Sequence, residues 1–117
     1  MAVRRGEIYF VDLGPAQSTE QAGKRPVLVL SRNAIQANLE IAIVVPGTTG
    51  NWMRRIHRGI AHVTAPESGL KGDGVFLGFQ VRALDISKFP PVPAGRLTEA
   101  ALKRVEDAVA FCLGMRA

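Results

Sequence analysis

The side chains best suited to chemistry in this sequence lie in loops and at the ends of apolar runs. Arg25 stands where a polar stretch, GPAQSTEQAGK, meets the apolar run PVLVLS. A rigid backbone on one side and solvent on the other suit a guanidinium, which is planar, permanently charged and matches phosphate oxygens with paired donors. A strand-edge arginine paired with a surface acid has the same pattern. Thr48 and Thr49 close the next apolar run in PGTTG; their hydroxyls can donate to an anion or satisfy the turn's own backbone. Glu20 is a loop carboxylate able to hold an arginine or accept a proton. His57 and His62 invite an acid–base pair, but their contexts read better as a loop donor and a partly buried strand residue. These residue types suit chemistry on a phosphodiester without a metal. Cutting RNA that way means taking a proton from the 2′-OH, protonating the departing 5′ oxygen and stabilising charge on the phosphorus oxygens.

Other chemistries lack their signatures. KGDG at 71–74 does not have phosphate-loop spacing, and neither GxSxG nor HExxH occurs. Two histidines, one cysteine and scattered acids show no metal-ligand spacing, so no metal and no cofactor are expected. Cys112 is the single cysteine, which excludes a disulfide framework.

Charge points to a polyanionic partner. Fifteen Lys and Arg against ten Asp and Glu give a net charge of +5 and a pI near 10.1. Residues 1–58 carry eight basic and four acidic side chains, and 59–117 carry seven and six, so the first half holds +4 of the excess. No acid lies between Glu40 and Glu67, where Trp52, Arg54, Arg55 and Arg58 cluster. That cluster suits a phosphate backbone with a stacked base, or equally a solvated basic loop with Trp52 packed by its edge. Lys24, Arg25 and Arg82 offer the alternative basic groove.

These residues need a scaffold that 117 residues, 47% of them apolar, can supply as one domain spanning 1–117. Strands are predicted over 6–13, 26–31, 41–46, 59–64 and 75–83, with a further one around 92–96. Residues 33–39 fit a short helix capped by Asn33. The C-terminal helix is the best marked. Thr98 is its N-cap, Leu97 and Leu102 occupy staple positions, and Gly114 is the stop. Leu102, Val105, Val109, Cys112 and Leu113 form its apolar stripe. Sequential short strands with few crossovers predict an α+β fold, an antiparallel barrel-like sheet with a C-terminal helix. No apolar run reaches the length of a membrane span and no signal peptide is evident, so a reducing cytoplasm is expected.

The segments RGEIYFVDLGP (5–15), EQAGKRPVLVLS (20–31), VVPGTTG (44–50), GLKGDGVFLGFQVRALD (69–85) and GRLTEAAL (95–102) fall in an order that resembles the MazF/PemK toxins. The resemblance implies a small SH3-like antiparallel β-barrel and a homodimer. It implies a sequence-selective endoribonuclease acting on single-stranded RNA, neutralised by a cognate acidic antitoxin laid across the RNA groove. It places Arg25 and Thr48 at transition-state stabilisation and proton transfer, Glu20 in a supporting or proton-handling role, and Gln80 in contact with RNA or antitoxin. Lys24, Thr49, Trp52, Arg54, Arg55, Arg58 and Arg82 complete the expected RNA-binding set. Gly74 departs from the serine common in the family, as Lys88-Phe89-Pro90 departs from an arginine-led segment.

Two other functions fit parts of the sequence: a non-catalytic single-stranded nucleic-acid binder using Trp52, and a protein-directed toxin that poisons a topoisomerase from the same barrel. Fold alone does not separate the three. The pairing of EQAGKRP with PGTTG favours RNA cleavage.

Overall fold

Side-chain alternation along short strands sets the architecture seen in the computed structural model, which describes residues 2–15 and 23–116. The strands are β1 (Glu7–Asp12), β2 (Lys24–Val29), β3 (Ile41–Thr48), β4 (Ile60–Val63), β5 (Gly74–Leu77), β6 (Arg82–Asp85) and β7 (Gly95–Arg96). Helices α1 (Asn33–Leu39), α2 (Ala65–Ser68) and α3 (Glu99–Cys112) are joined by 3-10 turns at Gly50–Arg54, Gly78–Gln80 and Ile86–Lys88.

All strand pairings are antiparallel, in the order β4-β5-β3-β2-β1-β7 with β6 also on β3. Strand β3 turns this sheet into a curl. Its first half, Ile41–Val44, pairs with β6; Val44–Pro46 pairs with β2; Gly47 and Thr48 pair with β5. The result is the expected α+β arrangement, a curled antiparallel half-barrel with a C-terminal helix.

Two cores lie on opposite faces of the sheet, and the apolar runs of β2 and of the second half of β3 serve both, while Ile41 and Ile43 at the start of β3 are exposed. Ile8, Leu28 and Val45 pack with Ala101, Val105, Ala108 and Val109 of α3. Tyr9, Val27, Val29 and Val44 point the other way, into a core closed by Leu84 and Phe89. Arg5 ties the start of the chain to α3, donating to the Leu30 carbonyl and pairing with Glu106.

Helix α3 has the predicted ends. The Thr98 hydroxyl accepts from Ala101 N at 3.3 Å. Gly114 adopts φ 74°, and Met115 N donates to Ala110 O at 2.8 Å, the wide bond of a Schellman stop. Its stripe is shifted, however. Ala101 and Ala108 are buried with Val105 and Val109, Cys112 is half-buried, and Leu113 is 58% exposed because it lies past the last turn.

Other expectations need correction. The predicted strand 75–83 is broken at Gly78, where the chain turns against α3: a Cβ there would lie 2.9 Å from the Ala108 carbonyl carbon and from Gly59 O. Asn33 does not cap α1. Arg32 holds the cap position without a side-chain bond, while Asn33 Oδ1 accepts from Arg5 N at 2.7 Å. Helix α2 was not anticipated. It is a single turn set by a capping box between Thr64 and Glu67. Among the described residues, no helix is long and apolar enough to cross a membrane.

Candidate active site

The site forms where one face of the sheet emerges from under α3. Ile8, Leu28 and Val45 share that face beneath the helix. Two residues along each strand come Phe10, Pro26 and Gly47, which line a cleft of about 280 Å³ that no α3 residue reaches. Gly47 is required there: a Cβ would sit 2.9 Å from the Phe76 ring and 3.3 Å from the Pro26 ring. With no side chain of its own, it lets both rings form the floor.

Arg25 and Thr48 both line this cleft, with Lys24 and Thr49 beside them. The β2–β3 ladder ends at Val27↔Pro46, two residues short of each, and Arg25 and Thr48 follow it on their strands where β3 passes from β2 to β5. Arg25 pairs with Val11 of β1 and Thr48 with Val75 of β5, so neither backbone is in a free loop.

The far wall comes from the α2–β5 connection, with Leu70, Asp73 and Gly74. Asp73 accepts from Ala65 N at 2.7 Å, tying the connection to the start of α2. A Cβ on Gly74 would lie 3.1 Å from Thr48 O, so the backbone approaches the Thr48 carbonyl closely. Helix α2 is in turn clamped to α3. Arg104 donates to both Glu67 oxygens at 2.7 Å, and this bond, with that from Thr64 N, lowers the Glu67 carboxyl to about 2. Lys24 and Arg25 outnumber Asp73, so the charged residues lining the cleft sum to +1. Guanidinium, ammonium and hydroxyl donors around one cleft can bind a phosphodiester and stabilise charge on its oxygens.

The remaining sequence candidates lie elsewhere. Glu20 falls outside the described residues. Trp52 is half-buried, 5.5 Å from Phe79, and packs with Met53 on Ile60, Val75 and Leu77, the edge-packed alternative. Arg54 is exposed at the end of the 3-10 turn, and Arg55 lies 5.2 Å over the Trp52 ring. Arg58 lies 4.3 Å over Phe111 of α3 and lines a separate depression with Arg104 and Arg116. Gln80 is in the 3-10 turn after β5, and Arg82 pairs with Val44 in β6. His57 Nδ1 accepts from Gly59 N at 2.9 Å, which leaves its donor at Nε2 in the neutral ring; His62 is exposed rather than partly buried, with Nε2 2.8 Å from Arg55 O. Both rings are thus engaged with backbone. Among the described residues, no cluster of His, Cys, Asp and Glu is placed to hold a metal ion.

Phe10 and Asp73 were missed in the sequence. Phe10 carried a signal, since alternation places it on the face of Ile8; Asp73 carried none beyond its turn.

Residues 4–113 match the family described as PemK-like, MazF-like toxin of type II toxin–antitoxin systems. The chain belongs to that family. Among PemK-like and MazF-like relatives, the endoribonuclease MazF of Staphylococcus saprophyticus is 32% identical over 117 residues, covering 97% of this chain and 92% of its own. A mycobacterial endoribonuclease solved in complex with its cognate antitoxin superposes with a TM-score of 0.80 at 25% identity, over 99% of each chain. MazF from Deinococcus radiodurans has the same fold, with a TM-score of 0.82 at 23% identity over 98% of this chain and 99% of its own.

Proposed function

We propose that this toxin is a sequence-selective endoribonuclease that cuts single-stranded RNA at the Arg25–Thr48 cleft. The observation that supports the reading is that Arg25 and Thr48 line one basic cleft in a chain with this family membership. The ribose 2′-oxygen attacks the adjacent phosphorus as its proton leaves. The bond from phosphorus to the 5′ oxygen breaks, and that oxygen takes up a proton. The products are a 2′,3′-cyclic phosphate and a 5′-hydroxyl. Arg25 holds the non-bridging oxygens with a charged pair of donors, and Thr48 adds a neutral one. Glu20 is the proposed proton carrier or support. Lys24, Thr49, Arg54 and Arg55 position the strand through its phosphates, which carry no base identity.

The proposal extends to partners. An acidic antitoxin competes with RNA for the basic cleft, consistent with the mycobacterial relative's complex with its antitoxin. The toxin acts in the cytoplasm, where its RNA substrate is. It works as a homodimer, and exposed Ile41 and Ile43, on one face of β3, offer apolar surface for self-association. Light scattering at micromolar concentration checks this, and a fully active monomer contradicts it.

The test of function is incubation of purified protein with a long RNA in EDTA, followed by mapping of the new ends. Discrete cuts with cyclic phosphate and 5′-hydroxyl termini are expected. Intact RNA, or cuts that appear only with added metal, would overturn the reading.

A further inference from the structure

We propose that Phe10 is a nucleobase-stacking platform beside the phosphate-handling pair, an inference that rests on the endoribonuclease reading and gives its site a base-binding subsite. Along β1, Ile8 is fully buried under α3, whereas Phe10, two residues on and on the same face, is 40% exposed and lines the cleft. Exposed apolar side chains are common on this surface, but Phe10 is the exposed large one that lines the cleft, where a bound ligand can cover its ring. Its surroundings say what that is. Phe10 pairs with Pro26 across the ladder, and Lys24, Arg25 and Thr48 line the same cleft.

Cations for a phosphate and an open aromatic face for a base are the two components of a single-strand site. The other exposed aromatic, Phe79, is packed against Trp52, while Phe10 stacks on no ring among the described residues. Phe10 therefore takes the stacking place that composition suggested for Trp52. Because every base has a flat face, the platform orients the nucleotide flanking the scissile phosphate without selecting its identity.

A cycle between protein and RNA tests this. An oligoribonucleotide bearing the cut site, made uncleavable by one 2′-deoxyribose, is titrated by fluorescence anisotropy with wild type, Phe10→Ala, Phe10→Leu and Phe10→Trp. Parallel oligonucleotides carry one abasic residue on either side of the scissile phosphate. Phe10→Ala and Phe10→Leu should each weaken binding about 5- to 150-fold, with Phe10→Trp near wild type. One abasic position should produce the same loss in wild type and no further loss in Phe10→Ala. The leucine variant keeps an apolar side chain, so its loss separates stacking from folding. Unchanged binding by both Phe10→Ala and Phe10→Leu, or losses that multiply at both positions, would overturn the platform. If wild type cuts no RNA, the endoribonuclease reading fails, and titration of the four proteins with a mixed-sequence single strand still decides the subsite through the losses at Phe10→Ala and Phe10→Leu.

Discussion

Arg25 of β2 and Thr48 of β3 each lie two residues beyond the last β2–β3 pair, Val27↔Pro46, and both line the same cleft. Each is held in a ladder of its own, Arg25 by Val11 of β1 and Thr48 by Val75 of β5. Replacing Arg25 with Ala should lower the cleavage rate about 10²–10³-fold, equivalent to roughly 2.7–4 kcal/mol of transition-state stabilisation. Thr48→Ala should cost somewhat less. Arg25→Lys should not restore the rate, since an ammonium lacks the forked donors. Neither position belongs to the buried apolar core, so circular dichroism should match wild type. Normal turnover by Arg25→Ala would move the centre elsewhere.

The close approach of Gly78 to α3 makes that glycine a test of the fold. A methyl group there meets the Ala108 carbonyl carbon, Gly59 O and Val109 N at 2.9–3.0 Å, all of them backbone atoms. Gly78→Ala should lower stability by ~1–3 kcal/mol or more, read as a lower urea midpoint with an unchanged slope. A midpoint equal to that of wild type would mean the helix sits further from the turn.

The Glu67–Arg104 clamp predicts a pH dependence. The Glu67 carboxyl is lowered from 4.5 to about 2, mainly by the Arg104 hydrogen bond. A carboxyl lowered on folding contributes its full stability above the unfolded value and loses it as pH falls through the folded one. Glu67→Gln should therefore be less stable than wild type near neutral pH, and the gap should close between about pH 4.5 and pH 2. A gap that stays constant over that range would show that the carboxylate charge is not what Arg104 holds.

Salt dependence separates the arginines. Single strands give a slope of about −0.7 in log K against log salt per neutralised phosphate. Replacing Lys24, Arg54 and Arg55 together with Gln should flatten the slope by about 2 units if each makes one contact. Arg58→Gln should leave it unchanged, because Arg58 lines the separate depression with Arg104 and Arg116 beside α3. An equal effect per residue at Arg58 would place the strand along α3.

The parts of this fold legible in the sequence are those set by near neighbours. Thr98 and Gly114 mark the ends of α3 because capping acts within one turn, and the unbroken apolar runs of β2 and β3 mark covered strands, although Ile41 and Ile43 at the start of β3 are exposed on one face. Arg25 and Thr48 were legible as residue types at strand ends. Features set by distant contacts were not. The break at Gly78 depends on α3, some thirty residues later, and the exposure of Phe10 depends on where that helix stops covering the sheet. Trp52 and Arg58 sit beside each other in composition, yet Phe79 and Phe111 draw them to different places. Helix α2 did leave a local sign, Thr64-x-x-Glu67, but one turn is too short to show periodicity.

The central claim is that this cleft cuts RNA by attack of the neighbouring 2′-OH. An end-labelled oligoribonucleotide with a mapped cut site, and the same oligonucleotide with deoxyribose only at the nucleotide 5′ of that cut, test it in one gel. The all-ribose strand should be cleaved to a cyclic phosphate and a 5′-hydroxyl, while the singly substituted strand stays intact at that position. Equal cleavage of both strands would contradict 2′-OH attack and the roles assigned to Arg25 and Thr48.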